Sequence, residues 1–237
     1  MNSTGKWFAA VLATLPLLSA GCGTEEAQPS GFLQEGKTGM VEDERLPFQR
    51  VWYKQNADWT KYNAIRVAPV HTEYLSKQDW WDKVNEAELS NRQADVAKIA
   101  DYIQKKFTDA FANDENHVLK IAQKDGPGVL VLEIAIVELV PTKALLNAAG
   151  YAAMGSAMDQ GSIALEARIK DSATGEVLVK IADREEGKAS IVNVKDLTWY
   201  GHAYDRIDEW AEQAVEVANA SENETVDDSW DFTLAPW

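Results

Sequence analysis

Ser162-Ile-Ala-Leu-Glu-Ala-Arg-Ile-Lys-Asp171-Ser-Ala-Thr-Gly-Glu176-Val-Leu-Val-Lys-Ile-Ala182 is the stretch that decides the fold. Ile163, Leu165, Ala167 and Ile169 alternate with Ala164, Glu166, Arg168 and Lys170, a period of two that predicts a half-buried strand with its second face in water. Asp171 to Gly175 is a turn by residue chemistry, because Asp bonds its own backbone and Gly takes positive φ. With Glu176–Ala182 following, the segment reads as a hairpin.

Working outward, Val129–Val140 places Leu130, Leu132, Ile134 and Ile136 on one face and mostly apolar residues, with Glu133, on the other. That pattern predicts a central strand. Upstream, Asn63–Val70 ends at Ala-Pro-Val and reads as a first strand, and His117–Ala122 as a short one. Between Ser90 and Phe111, Val96, Ile99, Ile103, Phe107 and Ala110 recur at spacings of three and four, and Ser90 with Gln93 forms a candidate capping box. A second helix, about Trp199–Ala218, puts Ala203, Ile207, Trp210, Ala214 and Val217 on one stripe. One greasy stripe per helix and one greasy sheet face predict an α+β domain in two layers: a largely antiparallel sheet of four to five strands with helices on one face.

The N-terminus carries a different message. Lys6 precedes an apolar run from Trp7 to Leu18, and Ser19-Ala20-Gly21 leads into Cys22, the chain's only cysteine. The run is too short for a membrane span, which needs roughly twenty residues, and has the layout of an export signal. The segment resembles a bacterial lipoprotein signal. That resemblance implies a signal peptide over 1–21, acylation of Cys22 (palmitate among the chains) and an anchor in the cell envelope. Ser19 stands where leucine is more usual, with Leu18 one step earlier. Gly23 rather than Asp after the cysteine implies the outer membrane, with the domain facing the periplasm. No second cysteine exists for an intramolecular disulfide. Residues 22–29 read as a polar tether, 30–218 as the domain and 219–237 as an acidic and aromatic tail, mobile over its acidic part.

The formal charge is −15, and no cluster of Lys and Arg suits phosphate backbones. Nucleic acid is excluded as an expected partner. The histidines are His71, His117 and His202, and none has a second histidine at ligand spacing, so neither a metal nor a cofactor is expected. His71 lies two residues before Glu73, the one place where a metal or a general base is conceivable, and His202 reads as capping or packing. No G-x-S-x-G elbow or cysteine–histidine pair is present. Gly126-Pro-Gly128 precedes a strand and reads as a turn rather than a phosphate loop. Asp183-Arg-Glu-Glu186 reads as mixed charge at a sheet edge.

Two segments carry binding potential. Ala144–Met158 is nearly uncharged, with small residues four apart, and reads either as a helix closing over its own core or as a contact surface for a membrane, lipid or partner. The tail Ser229–Trp237 either docks on a partner or folds back. Trp52, Trp59, Trp80, Trp81 and Trp230 fall outside the clear helices and strands, buried under loops or marking an interface.

Ser30-Gly-Phe-Leu33, the Asn63–Val70 strand, Gly126-Pro-Gly-Val129, Glu166-Ala-Arg-Ile-Lys-Asp-Ser-Ala-Thr-Gly-Glu176 and Asp208-Glu-Trp-Ala211 together resemble the DUF3313 family of bacterial lipoproteins. The resemblance runs from about Ser30 to Ala218 and implies the localisation and the domain extent, but brings no active site with it. The expected role is a non-catalytic envelope accessory or binding module with an envelope protein or lipid as partner. A lipid or small-ligand carrier and an envelope hydrolase are the alternatives.

Overall fold

The structure is a computed structural model and describes residues 28–33, 39–75, 86–140, 161–186, 200–221, 224–226 and 228, without the side chains of 86–92. Its strands are β1 (Met40–Glu42), β2 (Arg50–Lys54), β3 (Ala64–Val67), β4 (Lys120–Ile121), β5 (Val129–Val140), β6 (Ser162–Asp171) and β7 (Val177–Glu186); its helices are α1 (Glu86–Ala112) and α2 (Gly201–Asn219). The mixed α+β class holds. The sheet, however, has seven strands in the order β1-β2-β7-β6-β5-β3-β4, not four to five.

The run from β5 through β6 and β7 to β2 and β1 is antiparallel throughout. β3 pairs in parallel with both β5 and β4. A parallel pair cannot be closed by a tight turn and needs a crossover, which α1 supplies between β3 and β4. β1 and β2 escaped the sequence reading because each is short and Arg50, Tyr53 and Lys54 interrupt any clean apolar alternation.

The expected hairpin is present. Asp171 Oδ1 accepts from the Ala173 and Thr174 N–H groups at 2.8 and 3.0 Å, and its Oδ2 takes the Tyr62 hydroxyl at 2.8 Å and sits 3.2 Å from Lys61 Nζ. The Tyr62 hydroxyl, the turn's N–H groups and Lys61 hold the Asp171 carboxyl well below the usual carboxylate range against the opposing effect of burial.

The predicted inward faces meet in one core. Leu130, Leu132, Ile134 and Ile136 of β5, with Ile163, Leu165 and Ala167 of β6, pack against Val96, Ile99, Ile103 and Phe107 of α1 and Ala203, Ile207 and Trp210 of α2. Tyr102 and Lys106 of α1 both bond Asp208 of α2, at 2.7 and 2.9 Å. Helix α1 is already running at Glu86, so Ser90 lies inside it and does not cap its start.

Gly161, before β6, has φ +71°, and a Cβ there would fall 2.6 Å from the His202 ring in the first turn of α2. Left-handed backbone strain and overpacking together predict that Gly161→Ala costs about 2–4 kcal/mol. Equilibrium urea unfolding of the two proteins measures it, and a difference near zero would mean that the close approach of α2 to this turn does not constrain the fold.

The second sheet face departs most from expectation. It was expected to meet water, yet Ala164 is fully buried, Glu166 is 4 % exposed and Lys180 is 1 % exposed. The cause is the N-terminal segment lying across it.

Candidate functional site

On this back face, small residues leave a recess. Phe32 fills it, packed on Ala135, Val137 and Ala164 with Leu33 and Tyr74 beside it. The His71 ring is 5.3 Å from the Phe32 ring and the Tyr74 ring 5.1 Å away, edge-on. Arg168 stacks its guanidinium 4.5 Å over the same ring, a cation–π contact, and donates to the Phe32 carbonyl at 3.3 Å.

Buried charges clasp the flanking residues. The Ser30 hydroxyl and backbone N–H both donate to the Glu166 carboxylate, at 2.6 and 3.2 Å. Lys180 Nζ donates to the Leu33 carbonyl at 3.0 Å. Burying such charges is tolerable only where they find partners, and for Glu166 and Lys180 those include the backbone of Ser30 and Leu33. Around this clasp, Glu133 binds Arg168 and Lys170 at 2.5 and 3.0 Å, and Arg184 binds Glu138 and Glu186, each at 2.8 Å. Arg168 and Lys170 offset the effect of burial and hold the Glu133 carboxyl below its usual range.

A second cluster lies on the helix side. The Asp183-Arg-Glu-Glu186 run is part of β7 and laddered to Ser162–Leu165 of β6, so its members alternate between faces. Arg184 and Glu186 join the back face, while Asp183 and Glu185 point toward α2. Asp183, 2 % exposed, accepts from Trp210 Nε1 at 2.6 Å and from the Gln49 N–H at 2.8 Å. Arg206 bonds Glu209 at 2.6 Å and lies 3.9 Å from Glu185. Burial pushes the Asp183 carboxyl up to about 6; burial and the neighbouring Asp183 push Glu185 up to about 7. The cluster can hold a proton near neutral pH, but its acids are tied into packing rather than presented to a cleft.

The other candidates separate. His71 Nδ1 lies 2.7 Å from Glu73 Oε1, and its backbone bridges to β5 at Ala135, so it walls the Phe32 recess. His117 is a turn residue with φ +51°. Burial holds the His202 ring below its usual pKa. No group of three or more His, Cys, Asp or Glu is placed to hold a metal ion among the described residues. Trp52 is buried on the back face under Arg50, whereas Trp59 is 42 % exposed. Part of the acidic tail folds back: Val226 N–H donates to the Arg45 carbonyl and Asp228 accepts from Gln213. A surface depression lined by Asn116, Glu216, Asn219 and Glu224 is polar and open. Cys22, Ala144–Met158, Trp80, Trp81 and 229–237 lie outside the described residues. No described helix is long and apolar enough to cross a membrane.

Sequence reasoning singled out Ser30-Gly-Phe-Leu33 only through the family resemblance. The available signal was the pair Glu166 and Lys180, charges set in strands whose neighbours are apolar.

No curated protein matches this chain. Among solved structures, it is similar to the PelC dodecamer from Paraburkholderia phytofirmans, at 9 % identity over 64 % of this chain and 87 % of that one, with a TM-score of 0.36. It is also similar to the hypothetical protein CT253 from Chlamydia trachomatis, at 12 % identity over 66 % of this chain and 96 % of that one, with a TM-score of 0.35. The family model described as "Protein of unknown function (DUF3313)" matches residues 28–214, from just before the Ser30 clasp into the second helix, and the chain belongs to that family.

Proposed function

We propose that the protein is an envelope lipoprotein, acylated at Cys22 and held at the periplasmic side of the outer membrane, whose domain acts as a non-catalytic accessory or binding module. One observation carries the reading: a cysteine directly after Leu-Leu-Ser-Ala-Gly, a few residues ahead of the point where Ser30 joins the sheet. Several acyl chains hold a protein stably on a bilayer where a single one does not. The buried carboxylates of Glu166 and Asp183, each engaged by the Ser30 hydroxyl or the Trp210 indole N–H, support a structural rather than a catalytic use of these residues. The partner would be another envelope protein or a lipid.

The test is labelling of cells with an alkyne analogue of palmitate. The native chain is expected to take up the label and float with outer membranes in a density gradient. Cys22→Ala is expected to lose the label entirely and leave the membrane fraction. Equal labelling of both proteins, or membrane association of the variant equal to that of the native chain, would overturn the anchor.

A further inference from the structure

We propose that the back face of the sheet is the membrane-facing surface of the domain, and that Ser30–Leu33 is the latch that fixes it there against a phospholipid surface. The inference rests on the anchor at Cys22. Its structural basis is where the tether leaves the fold. Ser30 is bonded to Glu166, and Glu166 sits on β6, the middle strand of the seven. The chain therefore departs from mid-sheet, on the side opposite the helices.

Magnitudes then restrict the orientation. Gly23–Pro29 spans at most about 25 Å even when fully extended. To put the helices against the bilayer, the tether would have to run from the middle strand to a sheet edge, about 15 Å at the usual strand spacing. It would then have to pass the thickness of sheet and helix layer, about 20 Å more. That path is longer than the tether. With the back face toward the lipid no detour is needed.

Charge agrees. The protein is strongly acidic overall, at −15, and would be repelled by an anionic surface at most approaches. On the back face the charges are matched instead: Glu133 with Arg168 and Lys170, Arg184 with Glu138 and Glu186. A balanced face suits a zwitterionic headgroup layer.

The mature chain, coupled through the Cys22 thiol to a maleimide lipid in phosphatidylcholine–phosphatidylethanolamine vesicles, tests this by lysine footprinting with a membrane-impermeant acetylating reagent. Lys54 and Lys170 report on the back face, Lys98 and Lys105 on the solvent side of α1. Attachment is expected to slow labelling of Lys54 and Lys170 severalfold relative to the free protein and to leave Lys98 and Lys105 unchanged. Inserting about thirty Gly/Ser residues after Gly23 gives a tether whose mean reach exceeds about 30 Å and should erase the contrast without touching the fold. Phe32→Ala, which opens the latch, should erase it at native tether length. Equal protection of both lysine pairs, greater protection of Lys98 and Lys105, or a contrast that survives the long tether would overturn the latch. Because the thiol is coupled chemically, these outcomes do not depend on acylation in the cell, and a chain that takes up no palmitate analogue would strike the anchor alone.

Discussion

Trp210→Ala is expected to lower the free energy of unfolding by about 3–5 kcal/mol, the usual range for deleting a buried aromatic side chain. Trp210 is 1 % exposed, and its Nε1–H is bonded to the carboxylate of Asp183. The substitution thus opens a cavity under α2 and strips a buried acid of a donor. Trp210→Phe separates the two effects. It keeps most of the ring and loses the charge-assisted bond, at a cost of about 1.5–3 kcal/mol. That cost should be larger at pH 8 than at pH 5, since the indole N–H stabilises the ionised carboxylate. Urea unfolding at the two pH values measures it. A Trp210→Phe cost that does not change with pH would mean that Asp183 is not titrating in this range.

The second large effect is the pH dependence of stability itself. Asp183 and Glu185 are pushed up to about 6 and about 7 by burial. A group whose folded pKa is raised binds its proton more tightly in the native state, so ionising it weakens the fold. Their contribution is therefore most favourable below the unfolded values near 4 and is lost as pH rises through 6 to 7. For Asp183 the shift corresponds to about 3 kcal/mol at most; Glu185 is partly exposed and contributes less after solvent screening. Asp171 works in the opposite sense. Its lowered pKa supports the fold above about pH 4 and withdraws that support on further acidification. Stability should peak near pH 4, well below neutrality, and fall on both sides. Asp183→Asn should flatten the alkaline limb and leave the acid limb in place. A native protein that grows more stable from pH 5 to pH 8 would contradict the burial assigned to this pair.

The two clusters differ in how far they were legible. The Asp171 turn was readable because every donor to Oδ1 lies within three residues of it. The Asp183 site was not, since its partners Gln49 and Trp210 come from a loop far upstream and a helix downstream. A run of four charged residues looks the same in sequence whether it frays at an edge or, as here, alternates between the two faces of an interior strand. Likewise Glu166 and Lys180 read as the wet side of an amphipathic strand until Ser30–Leu33 is laid across them.

By itself the sequence determined the elements whose signal is local: the hairpin around Asp171–Gly175, the long β5 strand, and the apolar stripes of α1 and α2 with the faces they turn inward. Periodicity reports which side of a segment is apolar, and that property is carried by neighbours a few residues apart. Only the tertiary structure decided the seven-strand order, the parallel pairing of β3, and the covering of the back face by the chain's own N-terminal segment. Those depend on meetings of segments far apart in sequence, from 56 residues for Ala64 with Lys120 to 136 for Ser30 with Glu166, and whether a charge is stable inside is settled by the partners such meetings bring.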